Sequence, residues 1–488
     1  MMGKSLFQNL RWLGSASLVS KPVWFLFLIY AARVLGPADF GAYLALFSLS
    51  LLLSSILELG LDVQITQSIS TSKENVLRLA TQSILLRMAT SVVLAFFGLG
   101  VFHFFYNDTY SSTIFTSAFS VGLIQFLLNH FRAIFRGMER LDLESISLLL
   151  EKIGVPVFLV FWLGAQPTFD YFLISLASAL GVSLACTFIL LILGVWRLHT
   201  RKSSRSVQSA GDLIRKAFPF AVMNFSLIWF ARIGSTLIER VLTQKDAGYL
   251  GVGTRFLDAL TVIPSTLSAV TYPVLCRITD SPRLFNDLCT LTSRIANATT
   301  LVIVGILYFF SEQITLLVFG DEYLAASSVV RIYSMTMLVL SQVFVIGAAV
   351  AALRLQHQAN KWLIGSVGAS IITYVLLLPS LNVNGFAWLA LLDQGLILAS
   401  SLIAIQGSIS LKEPLINLSK GMMVFIIWIG VDWALHKVDI PFFGTPFTET
   451  YIPLTSLLVY VGFLASLWWT GVIQYRDGYR LLHLSNRL

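Results

Sequence analysis

The sequence has few charged residues. Only 12% of its 488 residues are Asp, Glu, Lys or Arg, whereas 56% are hydrophobic. Soluble domains carry roughly 25% charged residues, so the composition excludes a string of water-soluble domains. A membrane-spanning helix needs roughly 20 mostly apolar residues, and such stretches follow one another along nearly the whole chain. The composition therefore predicts an all-α protein that crosses a membrane many times.

Cysteines and nucleotide-binding motifs are also scarce. The chain has only three cysteines, Cys186, Cys276 and Cys289, and no CxxC pair. This spacing argues against a zinc site and a disulfide framework. There is no GxxxxGK[ST] motif, which excludes ATP-driven transport powered from within this chain, whereas an associated ATPase subunit stays open. We therefore expect no metal and no cofactor.

The apolar stretches predict fourteen spans. They are the segments 8–32, 40–62, 83–105, 113–135, 143–163, 170–196, 214–238, 246–274, 290–310, 324–350, 362–381, 385–407, 419–436 and 452–473. The basic start of the chain resembles that of a signal peptide. Because the apolar stretch after it is long and has no clear cleavage site, we expect a retained first helix.

The basic residues indicate the orientation in the membrane. With a cytoplasmic N-terminus, 25 of the 33 Lys and Arg residues lie at cytoplasmic ends and loops, and only four lie on the far side. This split follows the positive-inside rule. An even number of spans returns the C-terminus to the cytoplasm, so we expect a multi-pass protein of the cell (inner) membrane. The net charge of +8 does not indicate nucleic-acid binding, because no basic domain exists that could line a duplex.

A short internal repeat divides the chain. Segment 33–41 (RVLGPADFG) matches segment 240–248 (RVLTQKDAG) in Arg, Val, Leu, Asp and Gly at identical spacing. Each copy lies in the outer loop after the first helix of a half. Six spans per half predict two parallel repeats related by an axis along the membrane normal, with substrate bound between them. The predicted parts are an N-terminal six-helix lobe (1–197), a cytoplasmic linker (198–213), a C-terminal six-helix lobe (214–407), and two additional helices with a cytoplasmic tail (408–488).

Four segments stand out along the chain. They are ARVLGPADFGAY at 32–43, LELGLD at 57–62, FRGMERLDLES at 135–145 and LLLPSLNVNGFAWLALL at 376–392. Together they resemble segments of Wzx-type polysaccharide flippases, which belong to the multidrug/oligosaccharidyl-lipid/polysaccharide exporter superfamily. The second repeat copy lacks Gly-Pro, and the last helix pair carries no family signature. The resemblance implies two six-helix lobes around a cavity that opens alternately to either side. The implied cargo is an undecaprenyl-diphosphate-linked oligosaccharide, moved to the outer leaflet for surface polysaccharide such as O-antigen, capsule or exopolysaccharide.

Four cations inside predicted spans are candidates for binding the diphosphate of such a cargo. They are Lys21, Arg232, Arg255 and Arg331. A charge at the bilayer centre costs about 2.5–3.5 kcal/mol on insertion scales, which disfavours a position facing lipid. The planar guanidinium of arginine binds phosphate oxygens in a bidentate way. The three arginines lie roughly 9–14 Å below the outer surface, at about 1.5 Å per residue, and Lys21 has no acid near it in its own helix.

Ion pairing is the alternative for the three arginines. Arg255 can pair with Asp258, three residues further along one helix. Arg232 can pair with Asp393, and Arg331 is shallow enough to extend to the membrane surface. Asp258 and Asp393 are also candidates for proton uptake in a coupling cycle, with structural salt bridges or caps as the alternative. Asp393 is the better candidate, because no base lies within a turn of it.

Prolines and a row of arginines complete the candidates. Pro22 and Pro264 lie inside the first and eighth predicted spans. Proline kinks a helix, so both are candidate hinges, although kinks without such a role are common in membrane helices. Arg132, Arg136 and Arg140 recur at every fourth position and predict a basic stripe at the cytoplasmic end of the fourth span. The stripe either contacts anionic headgroups or guides the incoming diphosphate.

We expect transport rather than catalysis. The longest outer connection, near 437–451, has no paired carboxylates or histidines arranged for acid–base chemistry, which argues against a membrane glycosyltransferase or polymerase. A drug exporter of the same superfamily is the closer alternative, but the cation-rich spans favour an anionic cargo. The expected partners are the lipid-linked oligosaccharide, membrane lipids and other polysaccharide-assembly proteins, and no nucleic acid.

Overall fold

The chain folds almost entirely into helices. A computed structural model describes residues 2–71, 76–162, 168–196, 210–408, 412–437 and 454–472. The earlier helices are α1 (Met2–Glu58), α2 (Leu61–Thr71), α3 (Val76–Val101), α4 (Ser112–Gly137), α5 (Leu141–Leu149), α6 (Val155–Trp162), α7 (Phe169–Trp196) and α8 (Ala210–Val241). The later ones are α9 (Gln244–Leu260), α10 (Val262–Arg277), α11 (Pro282–Phe309), α12 (Ser311–Phe319), α13 (Ser327–Ala352), α14 (Gln356–Leu377), α15 (Val383–Ile405), α16 (Lys412–Lys437) and α17 (Leu454–Trp469). The all-α prediction is confirmed.

Twelve helical segments in the described ranges are long and apolar enough to cross a membrane. One of them, Gly14–Glu58, covers most of the first two predicted spans. Helix α1 is interrupted between these spans at Gly36, whose φ of 73° is not helical. Glycine adopts this conformation without the steric penalty of a side chain, and Pro37 follows it. A shorter apolar helix, Ser456–Trp469, lies at the fourteenth predicted span. The multi-pass architecture is confirmed, and the number of fourteen spans stays a prediction.

By packing, the chain divides into two compact units, Met1–Gly248 and Tyr249–Leu488. The first unit therefore includes α8, although most of this helix lies in the predicted C-terminal lobe, which begins at residue 214. The predicted lobes follow the internal repeat rather than the packing, so their boundaries remain a prediction.

The two copies of the repeat meet inside the first unit. A Cβ atom at Gly41 would lie 1.9 Å from the carbonyl oxygen of Gln244, and one at Gly248 would lie 2.0 Å from that of Pro37. Positions 37 and 41 are equivalent to positions 244 and 248 in the repeat, so the contact is symmetric. Glycine at the end of each copy allows this close approach of the two backbones.

Helix α13 is central in the second unit. It packs against α10, α11 and α15, while α16 and α17 pack against α11 and against each other. The ring of Phe463 on α17 lies beside Gly305 of α11, where a Cβ would come within 2.7 Å of the ring. Phe463, Phe425 and Phe309 share one buried cluster. The last two helices are therefore an integral part of this unit.

Candidate functional site

Lys21 and Arg232 lie on separate helices of the first unit. Lys21 is exposed on α1, and Arg232 is half-buried on α8. The second half of α1 packs antiparallel to α8, as the contact between Glu58 and Asn224 at one end and that between Gly41 and Gln244 at the other show. Neither cation forms an ion pair within the part of the chain that the structure describes.

Arg255 forms the predicted local pair with Asp258. Arg255 is buried, and its Nη1 donates to Oδ2 of Asp258 at 3.2 Å. The side chain of Asp258 is 50% exposed. A carboxylate that stays half in solvent holds its partner weakly, so an incoming phosphate can displace it from the guanidinium.

Arg331 on α13 is held by the start of α12. Its Nε donates to Oγ of Ser311 at 2.7 Å, and its Nη2 donates to Oε1 of Glu312 at 2.8 Å. The side chain is 41% exposed. Its environment thus differs from that of the other three cations, because it combines a fixed orientation with a neighbouring carboxylate.

Asp393 on α15 is fully buried. Ser370 Oγ donates to its Oδ1 at 2.7 Å and Tyr374 OH donates to its Oδ2 at 3.3 Å, both from α14. Among the described residues no cation pairs with this carboxyl group. A buried carboxylate without a cation is costly unless it takes up a proton. The arrangement suits a group that exchanges a proton.

The two candidate hinge prolines differ in their local structure. Helix α1 continues through Pro22, and the only non-helical dihedrals within it are those of Gly36. Pro264 is buried near the start of α10, and α9 ends at Leu260, four residues before it. A proline ring clashes with the carbonyl of the residue four positions earlier, which explains the break there. The hinge roles stay predictions.

In the structure, the arginines of the basic stripe predicted at the end of α4 form ion pairs. Each of the three arginines pairs with a carboxylate of the segment that follows. The pairs are Arg132–Glu151 at 2.5 Å, Arg136–Glu144 at 3.2 Å and Arg140–Asp142 at 2.7 Å. Arg132 is buried and also donates to Ser147. Since every arginine of the row has an acid beside it, the row joins α4 to the next segment instead of presenting net positive charge.

Four ionisable side chains that the sequence did not connect meet in the first unit. We call Glu58, Asp62, Arg87 and His130 the Arg87 cluster. Arg87 is fully buried, donates to Asp62 and lies 3.8 Å from Glu58. His130 Nδ1 lies 2.8 Å from Oδ1 of Asp62. A signal was present, since Arg87 and His130 interrupt otherwise apolar stretches, but nothing in the sequence shows that the two face each other.

The cluster is closed by neighbours on α4 and α8. The guanidinium carbon of Arg87 lies 4.0 Å from the ring centroid of Phe126 on α4. Asn224 Nδ2 on α8 donates to Oε2 of Glu58 at 3.1 Å. Opposite charges, a cation–π contact and hydrogen bonds thus compensate one another here, which is typical of a structural network. No group of three or more His, Cys, Asp or Glu residues in the described ranges is arranged to hold a metal ion.

Three solved structures have a similar fold. Lipid II flippase MurJ, in an inward closed conformation, has 15% identity and a TM-score of 0.55, with 95% of this chain and 99% of that chain covered. An inward-facing multidrug resistance MATE family transporter of the MOP superfamily has 14% identity and a TM-score of 0.54, covering 83% and 96%. A MOP superfamily transporter from Pyrococcus furiosus has 14% identity and a TM-score of 0.53, covering 86% and 95%. At such identities the likeness concerns the fold.

Sequence comparison identifies the family. No protein with a curated description matches the chain. Residues 6–279 match the family described as polysaccharide biosynthesis protein, and this range is more than half of the chain. It includes Lys21, Arg232 and Arg255, the three cations that are not held beside α12. The chain is therefore a multi-pass membrane protein that belongs to the polysaccharide biosynthesis protein family.

Proposed function

We propose that this protein is a flippase that moves undecaprenyl-diphosphate-linked oligosaccharide repeat units from the inner to the outer leaflet of the cell membrane. The product would serve the assembly of a surface polysaccharide such as O-antigen, capsule or exopolysaccharide. The observation that carries the proposal is that Lys21 and Arg232 lie in apolar helices with no ion-pair partner in the described ranges. A diphosphate supplies the negative charge that these two cations lack.

Each cation has a defined part in the proposal. Lys21 and Arg232 attract the diphosphate as unneutralised charges. Arg255 exchanges its weak pair with Asp258 for a bidentate contact with phosphate oxygens, since charge-assisted bidentate pairs are stronger than single ones. Asp258 then faces solvent until the cargo leaves. Arg331, which is already held by Ser311 and Glu312, is assigned a different role below.

Asp393 is proposed as the coupling group. The diphosphate carries about two negative charges, so its outward movement down a potential of 100 mV would release about 4–5 kcal/mol. If the bound cations move with it, their charges cancel this gain, and an exchanged proton must supply the driving force. A fully buried carboxyl group whose partners are hydroxyls supports proton exchange. An aspartate held permanently by a cation would not provide it.

The function is tested with purified protein in proteoliposomes that contain labelled lipid-linked oligosaccharide. We expect Lys21→Ala and Arg255→Ala each to slow transport by roughly tenfold or more, because a charge-assisted hydrogen bond contributes about 1.5–3 kcal/mol. The exposed Arg277 on α10 offers a matched control, and Arg277→Ala should transport at the wild-type rate. Wild-type rates for both Lys21→Ala and Arg255→Ala would reject the proposed roles of these two cations in transport. Export of cationic drugs with no movement of the lipid-linked sugar would favour a drug exporter.

We also propose that both termini are cytoplasmic. The support is the distribution of basic residues described above. Single cysteines in the segments 106–112 and 311–323 should react with an impermeant thiol reagent added to intact cells, whereas a cysteine in the 203–208 linker should not. The opposite pattern would reverse the topology.

A further inference from the structure

A cavity lies within the second unit, where α11, α12 and α13 meet the last two helices. Its volume is about 460 Å³, and its lining includes Tyr308, Glu312, Arg331, Asp432 and Trp433. Small-molecule sites in proteins typically enclose about 300–1,000 Å³. The cavity is therefore large enough for a ligand with several polar groups.

The charges of the lining do not suit a diphosphate. Arg331 is the one cation among the lining residues, while Glu312 and Asp432 are carboxylates. The formal charge of the lining is thus −1. A diphosphate with about two negative charges would meet one favourable and two unfavourable partners. A zwitterion matches better, because its phosphate can face Arg331 while its cationic end faces the carboxylates.

The orientation of Arg331 favours binding of one phosphate group. Its Nε and Nη2 are taken by Ser311 and Glu312. These contacts hold the guanidinium plane in place and leave Nη1 without a protein acceptor among the described residues. Binding to a pre-oriented donor loses less side-chain entropy than binding to a flexible one. Glu312 lies beside this phosphate position and can accept a hydrogen bond from an N–H donor of the same ligand.

Aromatic side chains place the cavity at the depth of lipid headgroups. Tyr308 lies at the end of α11, and the polar start of α12 follows within three residues. Trp433 is 62% exposed near the end of the apolar stretch Ile416–Ala434. Tyr and Trp are enriched where membrane spans meet the headgroup region. Their rings also attract organic cations, which is the second feature that a zwitterionic headgroup requires.

We propose that this cavity binds the headgroup of a zwitterionic phospholipid with a primary amine, as in phosphatidylethanolamine. The phosphate contacts Arg331, and the ammonium donates hydrogen bonds to Asp432 and Glu312 beside the rings of Tyr308 and Trp433. A primary ammonium has three N–H donors for these carboxylates, whereas the quaternary amine of choline has none. The bound lipid would link the last two helices to α11 and α13. This inference does not depend on the proposed function.

Native mass spectrometry of the delipidated full-length protein tests the proposal in the absence of any cargo. Dioleoyl lipids with ethanolamine, choline or glycerol headgroups are added separately. We expect one ethanolamine lipid to be retained with roughly tenfold higher affinity than either other lipid, in line with about 1.5–3 kcal/mol for a hydrogen bond to a charged group. Asp432→Asn should abolish the preference for ethanolamine over choline. Arg331→Gln should weaken binding of the ethanolamine and choline lipids alike.

Two controls keep the result decisive. Asp287, an exposed acid near the other end of α11, supplies the matched variant Asp287→Asn, which should bind like the wild type. Should Asp432→Asn fail to purify as a monodisperse protein, Glu312→Gln at the more exposed carboxylate takes its place. Equal retention of the three lipids, a preference for the glycerol headgroup, or an unchanged preference in both carboxylate variants would overturn the proposal. Retention of a free oligosaccharide in place of the ethanolamine lipid would do so too.

Discussion

Acidic side chains inside the two units have different kinds of partner. In the first unit, Glu58 and Asp62 lie beside the fully buried Arg87, with His130 and Asn224 completing the network. In the second unit, Asp393 is fully buried, and its hydrogen-bond donors among the described residues are the hydroxyls of Ser370 and Tyr374.

The difference separates a structural network from a group that can change its charge. Where a carboxylate pairs closely with a buried arginine, as Asp62 does with Arg87, the cation favours the charged form of the acid. For a buried carboxylate with hydroxyl partners, the neutral and charged forms differ less in free energy than they do for a carboxylate paired with an arginine. The comparison therefore assigns stability to the Arg87 cluster and charge change to Asp393.

The largest effect is expected from Arg87→Met. Removal of one partner from a buried ion pair leaves an uncompensated charge and costs about 3–5 kcal/mol. We expect a large loss of the monodisperse fraction after heating, measured by size-exclusion chromatography of detergent-solubilised protein. Adding Asp62→Asn to Arg87→Met should restore part of the stability, because it removes one of the charges that have lost their partner. A wild-type melting curve for Arg87→Met would contradict the assignment of a stabilising role to the Arg87 cluster.

A smaller loss is expected from Ser370→Ala. This change leaves one oxygen of Asp393 without its shortest hydrogen bond, and an unsatisfied buried acceptor costs about 1–3 kcal/mol. The same heating assay should therefore rank Ser370→Ala between Arg87→Met and the wild type. Ser366 lies one turn earlier on α14 and bonds to Ser400 instead, so Ser366→Ala is a control that leaves Asp393 untouched. A greater loss in the control than in Ser370→Ala would show that the contact with Asp393 contributes little.

Asp393→Asn should affect transport more than stability. The amide keeps the shape of the carboxyl group and removes a buried charge, so we expect the free energy of unfolding to change by less than about 1 kcal/mol. In proteoliposomes, stimulation of transport by a pH gradient should disappear in this variant. Stimulation by membrane potential alone, unchanged in Asp393→Asn, would remove Asp393 from the coupling role.

The smallest effect is expected at the surface end of the α4 row. Arg136 pairs with Glu144 at 3.2 Å, but 45% of its side chain is exposed. Exposed ion pairs contribute about 0–1 kcal/mol, so Arg136→Ala should melt close to the wild type. Arg132→Ala, which strips the buried Glu151 of a partner, should melt clearly lower. Equal melting temperatures of Arg136→Ala and Arg132→Ala would contradict the claim that the exposed pair contributes less stability than the buried pair.

The sequence predicted those features that depend on the residues of one continuous segment. Helical spans follow from runs of apolar residues, because a bilayer forces every backbone polar group to be satisfied within its own helix. The local pair of Arg255 and Asp258 followed in the same way from helical spacing. The repeat at 33–41 and 240–248 was also visible, although only the structure shows that its two glycines touch.

The tertiary structure decided what depends on how helices rotate and pack. Arg87 counted as one more cytoplasmic charge, and only the packing of α3 beside α2 and α4 brings it to Asp62 and His130. Arg132 was predicted to face headgroups, yet the segment after α5 delivers Glu151 to it. Arg331 could be placed by depth but not by partner, because α12 turns Glu312 back towards it. The sequence thus shows which apolar helices carry a charged residue. The residue that neutralises this charge lies far away in the sequence, so only the fold shows which one it is.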